Sequence, residues 1–389
     1  MVLQAAKAPN IRYKENVHTL FTDVIIAMVP LIAMAYFYYG PRTLFLALSA
    51  SALCFAFDLL CRKLAHKKIK LNDFSAVITG LAIVMLLPVT VPYYVVVTAC
   101  LFAIFIAKHP FGGLGANMFN PACAGVAFVT VCWPTAVFGF PKPFDEIPVR
   151  ITQALPQAVS PASVLKMHGE PSGDLLLMFL GNFSGPMGAT AILVILSCLF
   201  FLLFRRTITW HIPLSVIASA AVMALLFPRV QINIVPGVLL ELFAGCLVFG
   251  AVFLATDPVT SPSLPLSKVL FGVGIGVLTM LLRYFGGFEE GFVFALLIMN
   301  ALSFALDRFA LWVRYDLLID GIQMRLLRGI PSAVARKAKR GFGTKTKNLV
   351  ITVEKTRHKK GIATPGGKEL EKETVIHSTA DKEGRSDGK

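Results

Sequence analysis

GLAIVMLLPVTVP, residues Gly80 to Pro92, is an apolar run that stops on a Pro-Val-Thr-x-Pro turn. The same construction returns 170 positions later as GAVFLATDPVTSP, Gly250 to Pro262. Phe111-Gly112-Gly113 and Phe285-Gly286-Gly287 follow in the same order at an offset of 174. Chance is the competing account of two short matches, and their shared order and spacing favour a duplication. Each half holds five apolar runs, an odd number, so the second half is inverted relative to the first. Folds of that kind place their site near the repeat interface, where helices break.

Working outward, hydrophobic residues make up 56% of the 389 and charged residues only 15%, where a soluble chain carries about a quarter. The apolar residues gather into runs at 18–39, 43–61, 74–91, 92–107, 117–137, 188–205, 211–228, 236–255, 267–283 and 291–313. Runs of this length suit roughly 30 Å of hydrocarbon at about 1.5 Å per helical residue. The fold class expected is an all-α polytopic membrane protein, about ten transmembrane helices in two inverted five-helix repeats.

Orientation follows from the basic residues. With the N-terminus inside, Arg62-Lys63 to Lys67-Lys68, Lys108-His109, Arg205-Arg206 and Arg314 all fall on the cytoplasmic side, as the positive-inside rule requires. Residues 1–17 are then a cytoplasmic N-terminus, without the pattern of a cleavable signal, and 18–313 the membrane domain, with an external loop at 138–187. Residues 314–335 read as an amphipathic interfacial helix and 336–389 as a basic, disordered cytoplasmic tail. Residues 322–389 hold 17 Lys+Arg and 7 Asp+Glu, a net +10 of the chain's +15. That placement points to anionic membrane lipid as the partner and away from nucleic acid.

Some stretches carry chemistry on their own reading. FGGLGANMFNPA (111–122), with Gly112, Gly113 and Asn120, cannot form an uninterrupted helix. Its freed backbone groups must be satisfied within protein or around a cavity, so close packing and a cofactor or ion lining are both open. Asp257 and Thr260 in ATDPVTSP pose the same choice: a cap for the next helix, or a polar group at a functional break. Asp23 and Asp58 lie near the expected cytoplasmic ends, where solvation is the simpler account. The seven cysteines form no CxxC or Cys/His cluster and read as packing residues; no metal site is expected.

KHPFGGLGANMFNPACAGVAF (108–128), RRTITWHIPLSVI (205–217), ATDPVTSP (255–262) and LRYFGGFEEGFVFALLIMN (282–300) together resemble the D subunit of the Rnf complex. The likeness runs from about Ala8 to Asp307 and extends more weakly to the B subunit of the sodium-translocating NADH:quinone reductase. It implies a flavin-carrying membrane subunit of an ion-translocating ferredoxin:NAD oxidoreductase in the bacterial inner membrane. Such a protein passes electrons across the membrane, coupled to Na+ or H+ movement, and is not expected to act alone. The implied partners are a flavin subunit outside, together with iron–sulfur and integral membrane subunits. The implied cofactor is FMN joined by a phosphodiester to a threonine, with riboflavin or a second flavin as a further expectation.

The matching stretch is Val159 to Leu165 (VSPASVL), where Ser163 stands in place of the threonine and Val164 in place of the following proline. A serine hydroxyl can make the same bond. Thr190, in Met187-Gly188-Ala189-Thr190, is the weaker alternative, because that stretch matches the glycine-rich lead-in to the sixth span. From another class, inverted repeats with broken helices also suit a secondary transporter or channel.

Overall fold

The computed structural model describes residues 17–66, 74–145, 147–150, 157–171, 174–230 and 233–327, with side chains from 18 to 314. The expected N-terminal segment before 17, the basic loop beyond His66 and the tail beyond 327 lie outside the described residues. The chain divides into two compact units, Met1–Arg314 and Tyr315–Lys389.

In the first unit α1 (Val17–Tyr39) and α2 (Arg42–Leu64) are followed by α3 (Ser75–Leu86), α4 (Tyr93–Lys108), α5 (Pro121–Cys132) and the short α6 (Pro134–Val137). The segment 138–187 carries α7 (Pro161–Lys166) and α8 (Leu175–Leu180). Then come α9 (Ile192–Phe204), α10 (His211–Leu226), α11 (Ile234–Phe243), α12 (Leu247–Leu254), α13 (Pro265–Phe285) and α14 (Phe292–Leu327). The backbone of α14 thus takes in the first part of the helix expected at 314–335. Among the described residues there is no strand, only an isolated bridge between Phe140 and Ala158.

All ten expected runs are helical, and not all are full spans. Four helices (α1, α2, α13 and the 292–314 part of α14) are long and apolar enough to cross a membrane, and in them only 28–39% of the most apolar window is buried. The outward-facing remainder includes Phe37, Leu48, Phe285 and Phe304, a belt that lipid covers. Three of the other runs correct the expected bounds. The run at 74–91 is helical only to Leu86, because Leu87 precedes Pro88 and turns extended (φ −100°, ψ 157°). The run at 117–137 starts its helix only at Pro121. The run at 236–255 is two helices, α11 and α12, bent by 66° around Gly245 at φ +73°.

Small residues let the helices close on one another. A Cβ on Gly80 of α3 would stand 2.5 Å from the Ala50 carbonyl of α2. On α13, Gly272 and Gly276 face Ser215 and Ser219 of α10, a small-xxx-small seam on both helices.

The breaks meet across the two halves. Met187 N donates to Leu87 O (3.1 Å) and Gly188 N to Met85 O (2.9 Å), so the lead-in to α9 lies along the end of α3. Reciprocally, Asn120 Nδ2 before α5 donates to Leu254 O (3.2 Å) at the end of α12. The two Pro-Val-Thr-x-Pro turns lie at opposite ends of the bundle, as inverted halves require. Residues 89 and 91 face Arg42 and the 138–187 segment, whereas 257–259 face the α5 lead-in.

Candidate functional site

At the end of the bundle that holds the 109–120 turn, a cavity of about 90 Å³ opens between α1, α3, α5, α9 and α12, room for several waters. Asn120 and Asp257 both line it, with Thr79, Asn117 and Lys108. Asn120 caps α5, its Oδ1 accepting from Ala122 N (3.0 Å) and Cys123 N (3.3 Å), which is why Pro121 can open a helix here. Asp257 accepts from Val259 N (3.3 Å) and from the Thr260 hydroxyl (3.1 Å). It closes its own turn and leaves α13 alone. The cap on α13 comes instead from Asp307 of α14, which accepts from Ser263 N (2.9 Å), Leu264 N and the Ser267 hydroxyl. Gly112 and Gly113 do not line the cavity; at φ +120° and +97° they shape the turn that leads to it.

Beside this cavity the sequence reading of Asp58 is corrected. The carboxylate is buried and neutralised by protein rather than solvated: Arg62 Nε lies 2.6 Å away, Lys108 Nζ 3.0 Å and His109 Nε2 2.9 Å. Lys108 also donates to the Ser75 hydroxyl (2.8 Å), so one acid ties α2, α3 and α4 together. Asp23 likewise joins α1 to the α9 end through Arg205 (3.0 Å) and Thr207 (3.0 Å). Lys108 read as a topology marker in the sequence; its position at the end of the apolar run FAIFIA was the available signal, and only the fold brings it to Asp58.

Ser163 stands at the opposite end. Ser160 caps α7 by accepting from Ser163 N (3.0 Å) and donates to Glu289 in the loop between α13 and α14 (2.5 Å). Glu289 also meets the Ser163 side chain, and burial pushes its carboxyl above the usual range. Lys166 donates to Gly287 O, so α7 is held to this loop at both of its ends. Next to the contact Phe138, Phe288 and Phe294 form a ladder: centroids 5.9 and 5.7 Å apart, planes tilted by 28° and 10°. Thr190 is placed differently. It is 1% exposed, its methyl packed at Gly185 and its hydroxyl beside that of Tyr39.

The same end holds a charge network that the sequence reading missed. Arg283, fully buried in α13, donates to Glu241 O and Ala244 O (2.7 Å each), the carbonyls freed where α11 breaks, and to Glu290 (3.2 Å). Glu241 is in turn gripped by Arg229 at 2.5 and 2.6 Å. Glu290 fills the space left by the absent side chain of Gly245, so the bend and the network form one unit.

The chain matches the NQR2, RnfD, RnfE family over residues 4–315. It is 30% identical to the D subunit of the proton-translocating ferredoxin:NAD(+) oxidoreductase complex of Clostridium ljungdahlii over 318 residues, 81% of this chain and 96% of that protein. It is 32% identical to the D subunit of the Na(+)-translocating ferredoxin:NAD(+) oxidoreductase complex of Acetobacterium woodii, covering 79% and 93%. To the D subunit of the ion-translocating oxidoreductase complex of a Pseudomonas aeruginosa strain it is 32% identical, covering 79% and 94%. With a family match that takes in all ten apolar segments and relatives aligned over nearly their whole lengths, the chain belongs to the NQR2, RnfD, RnfE family.

Proposed function

We propose that this protein is the D-type membrane subunit of an ion-translocating ferredoxin:NAD oxidoreductase, carrying FMN on Ser163 and passing electrons across the bacterial inner membrane. The observation that carries the first part of this assignment is coverage: relatives named as D subunits align over 93% and 96% of their own lengths. Its partners are then the other subunits of such a complex, with both of its termini cytoplasmic. One of those relatives is named for protons and another for Na(+), so the ion moved is a separate question.

The flavin assignment is supported by the surroundings of Ser163. Its side chain is half-buried on a short helix and touches a carboxylate; Thr190 is closed off by packing. When bound, the flavin supplies the redox chemistry, while the chain supplies position, dielectric and hydrogen bonding. Ser163 would hold the phosphate and Glu289 would bear on it. The cavity at Asn120 and Asp257 suits a water or small-cation path, and it is what a secondary transporter or channel would also use.

The test is flavin fluorescence of the denatured full-length protein in a gel, made in a host with the flavin transferase. The wild type and Thr190→Ala are expected to fluoresce and Ser163→Ala to be dark, with Ser163→Thr restoring the band. A modified peptide carrying Thr190 would overturn the site, and a colourless native protein would favour the transporter.

A further inference from the structure

Phe288 sits one residue before the carboxylate that touches Ser163, and its ring lies near-parallel to those of Phe138 and Phe294. All three rings are partly exposed. Another aromatic cluster on this end meets edge to face: Phe37 and Tyr38 lie at 85° and 64° to Phe144. Edge-to-face and offset stacking are both ordinary for phenylalanines, so packing alone does not ask for three rings in one stack. A stack does present flat faces in a common orientation, which suits a planar ring of similar chemistry.

The loop bearing Phe288 is fixed to the helix bearing Ser163 by the Ser160–Glu289 and Lys166–Gly287 hydrogen bonds. The Phe140–Ala158 bridge ties the Phe138 side to the segment just before that helix. The ladder is therefore held at a set position relative to the Ser163 hydroxyl. A phosphodiester and ribityl chain is about eight bonds long and reaches roughly 10 Å at ordinary bond lengths, enough to pass Glu289 and arrive at Phe288.

We infer that the Phe138–Phe288–Phe294 ladder is the platform on which the isoalloxazine ring of a flavin tethered at Ser163 stacks. This rests on the flavin reading above. The ladder shields one face of the ring from water and holds it toward the protein. Burial raises the Glu289 carboxyl above the usual range, which lessens its repulsion of the tether's phosphate.

The experiment uses the full-length protein labelled in its host and purified in detergent. It measures iodide quenching and anisotropy of the native flavin, with gel fluorescence after denaturation reporting the covalent bond. Phe288→Leu is expected to keep the gel band while iodide quenching rises severalfold and anisotropy falls. Phe288→Tyr, which keeps the flat ring but puts an electron-donating phenol against the flavin, is expected to keep the gel band while the native fluorescence darkens; native fluorescence at the wild-type level would count against the stack. Phe138→Leu guards against misfolding of the first variant and is expected to move quenching in the same direction. Labelled leucine variants with unchanged quenching and anisotropy would overturn the ladder and leave the attachment standing. A wild type without a gel band would overturn both.

Discussion

Asp58 and Asp23 are both buried aspartates with an arginine partner, yet their surroundings assign them different weights. Around Asp58 the partners Arg62 and Lys108 are themselves 10% and 3% exposed, whereas the Arg205 paired with Asp23 is 49% exposed. Removing one member of a buried pair strands the other's charge, at about 3–5 kcal/mol, while an exposed pair contributes about 1 kcal/mol or less. Asp58→Ala is therefore expected to lower the thermal midpoint in detergent far more than Asp23→Ala; equal shifts would show that water reaches the Asp58 cluster. Glu289 gives a pH-dependent case. Its carboxyl is raised by burial, with Ser160, Ser163 and Lys166 opposing the rise and Glu290 adding to it. A raised carboxyl contributes stability that is complete below its ordinary pKa and lost as pH climbs through the folded value. Wild type is thus expected to lose stability relative to Glu289→Gln as pH rises through that window, and parallel curves would refute the burial argument.

Among the elements, α13 carries the sharpest contrast between sites that look alike in sequence. A Cβ at Gly276 would meet the Val216 backbone carbonyl at 2.6 Å as well as Ser219. At Gly274 it would meet only the end of the Met299 side chain. A flexible methionine can move aside; a helix backbone cannot without parting α13 from α10. Gly276→Ala is expected to destabilise the detergent-solubilised protein by about 1–3 kcal/mol, the usual cost of overpacking. Gly274→Ala should be near neutral, since alanine also gains about 1 kcal/mol of helix propensity. Similar midpoints for the two would discount the seam. The end of α3 at Leu86 had a local signal in Pro88, which constrains Leu87, although the apolar run continues to residue 91. The bend between α11 and α12 was not legible, because FAGCLVFG reads as one apolar run. What fixes the bend comes from elsewhere in the chain: Glu290 in the space at Gly245, and Arg283 on the freed carbonyls.

Over the whole molecule, the ten apolar segments and the reversed halves were legible because hydropathy and the repeated turn are local signals. The surroundings of Ser163 were not, because Ser160 and Glu289 stand 129 residues apart and only folding joins them. The remaining question at this scale is which end faces which side. Arg42, the 89–91 turn, the 138–187 segment, Arg229 and the 286–291 loop contact one another. Asp58, His109, the α5 lead-in and the 254–259 turn gather at the other end. Lys63, Lys108, His109, Arg205 and Arg206 belong to that second group, and basic residues are retained on the cytoplasmic side. Val159 and His66 are exposed side chains on the two ends, and Cys132 is the exposed native cysteine among six buried ones. In a Cys132→Ser background, a membrane-impermeant thiol reagent added to intact spheroplasts is expected to label Val159→Cys and to spare His66→Cys until the cells are broken. The opposite pattern would turn the molecule over and place Ser163 in the cytoplasm, away from an external transferase. Labelling of both from outside would mean that α1 and α2 do not alternate with the rest, and the inverted arrangement would fall with them.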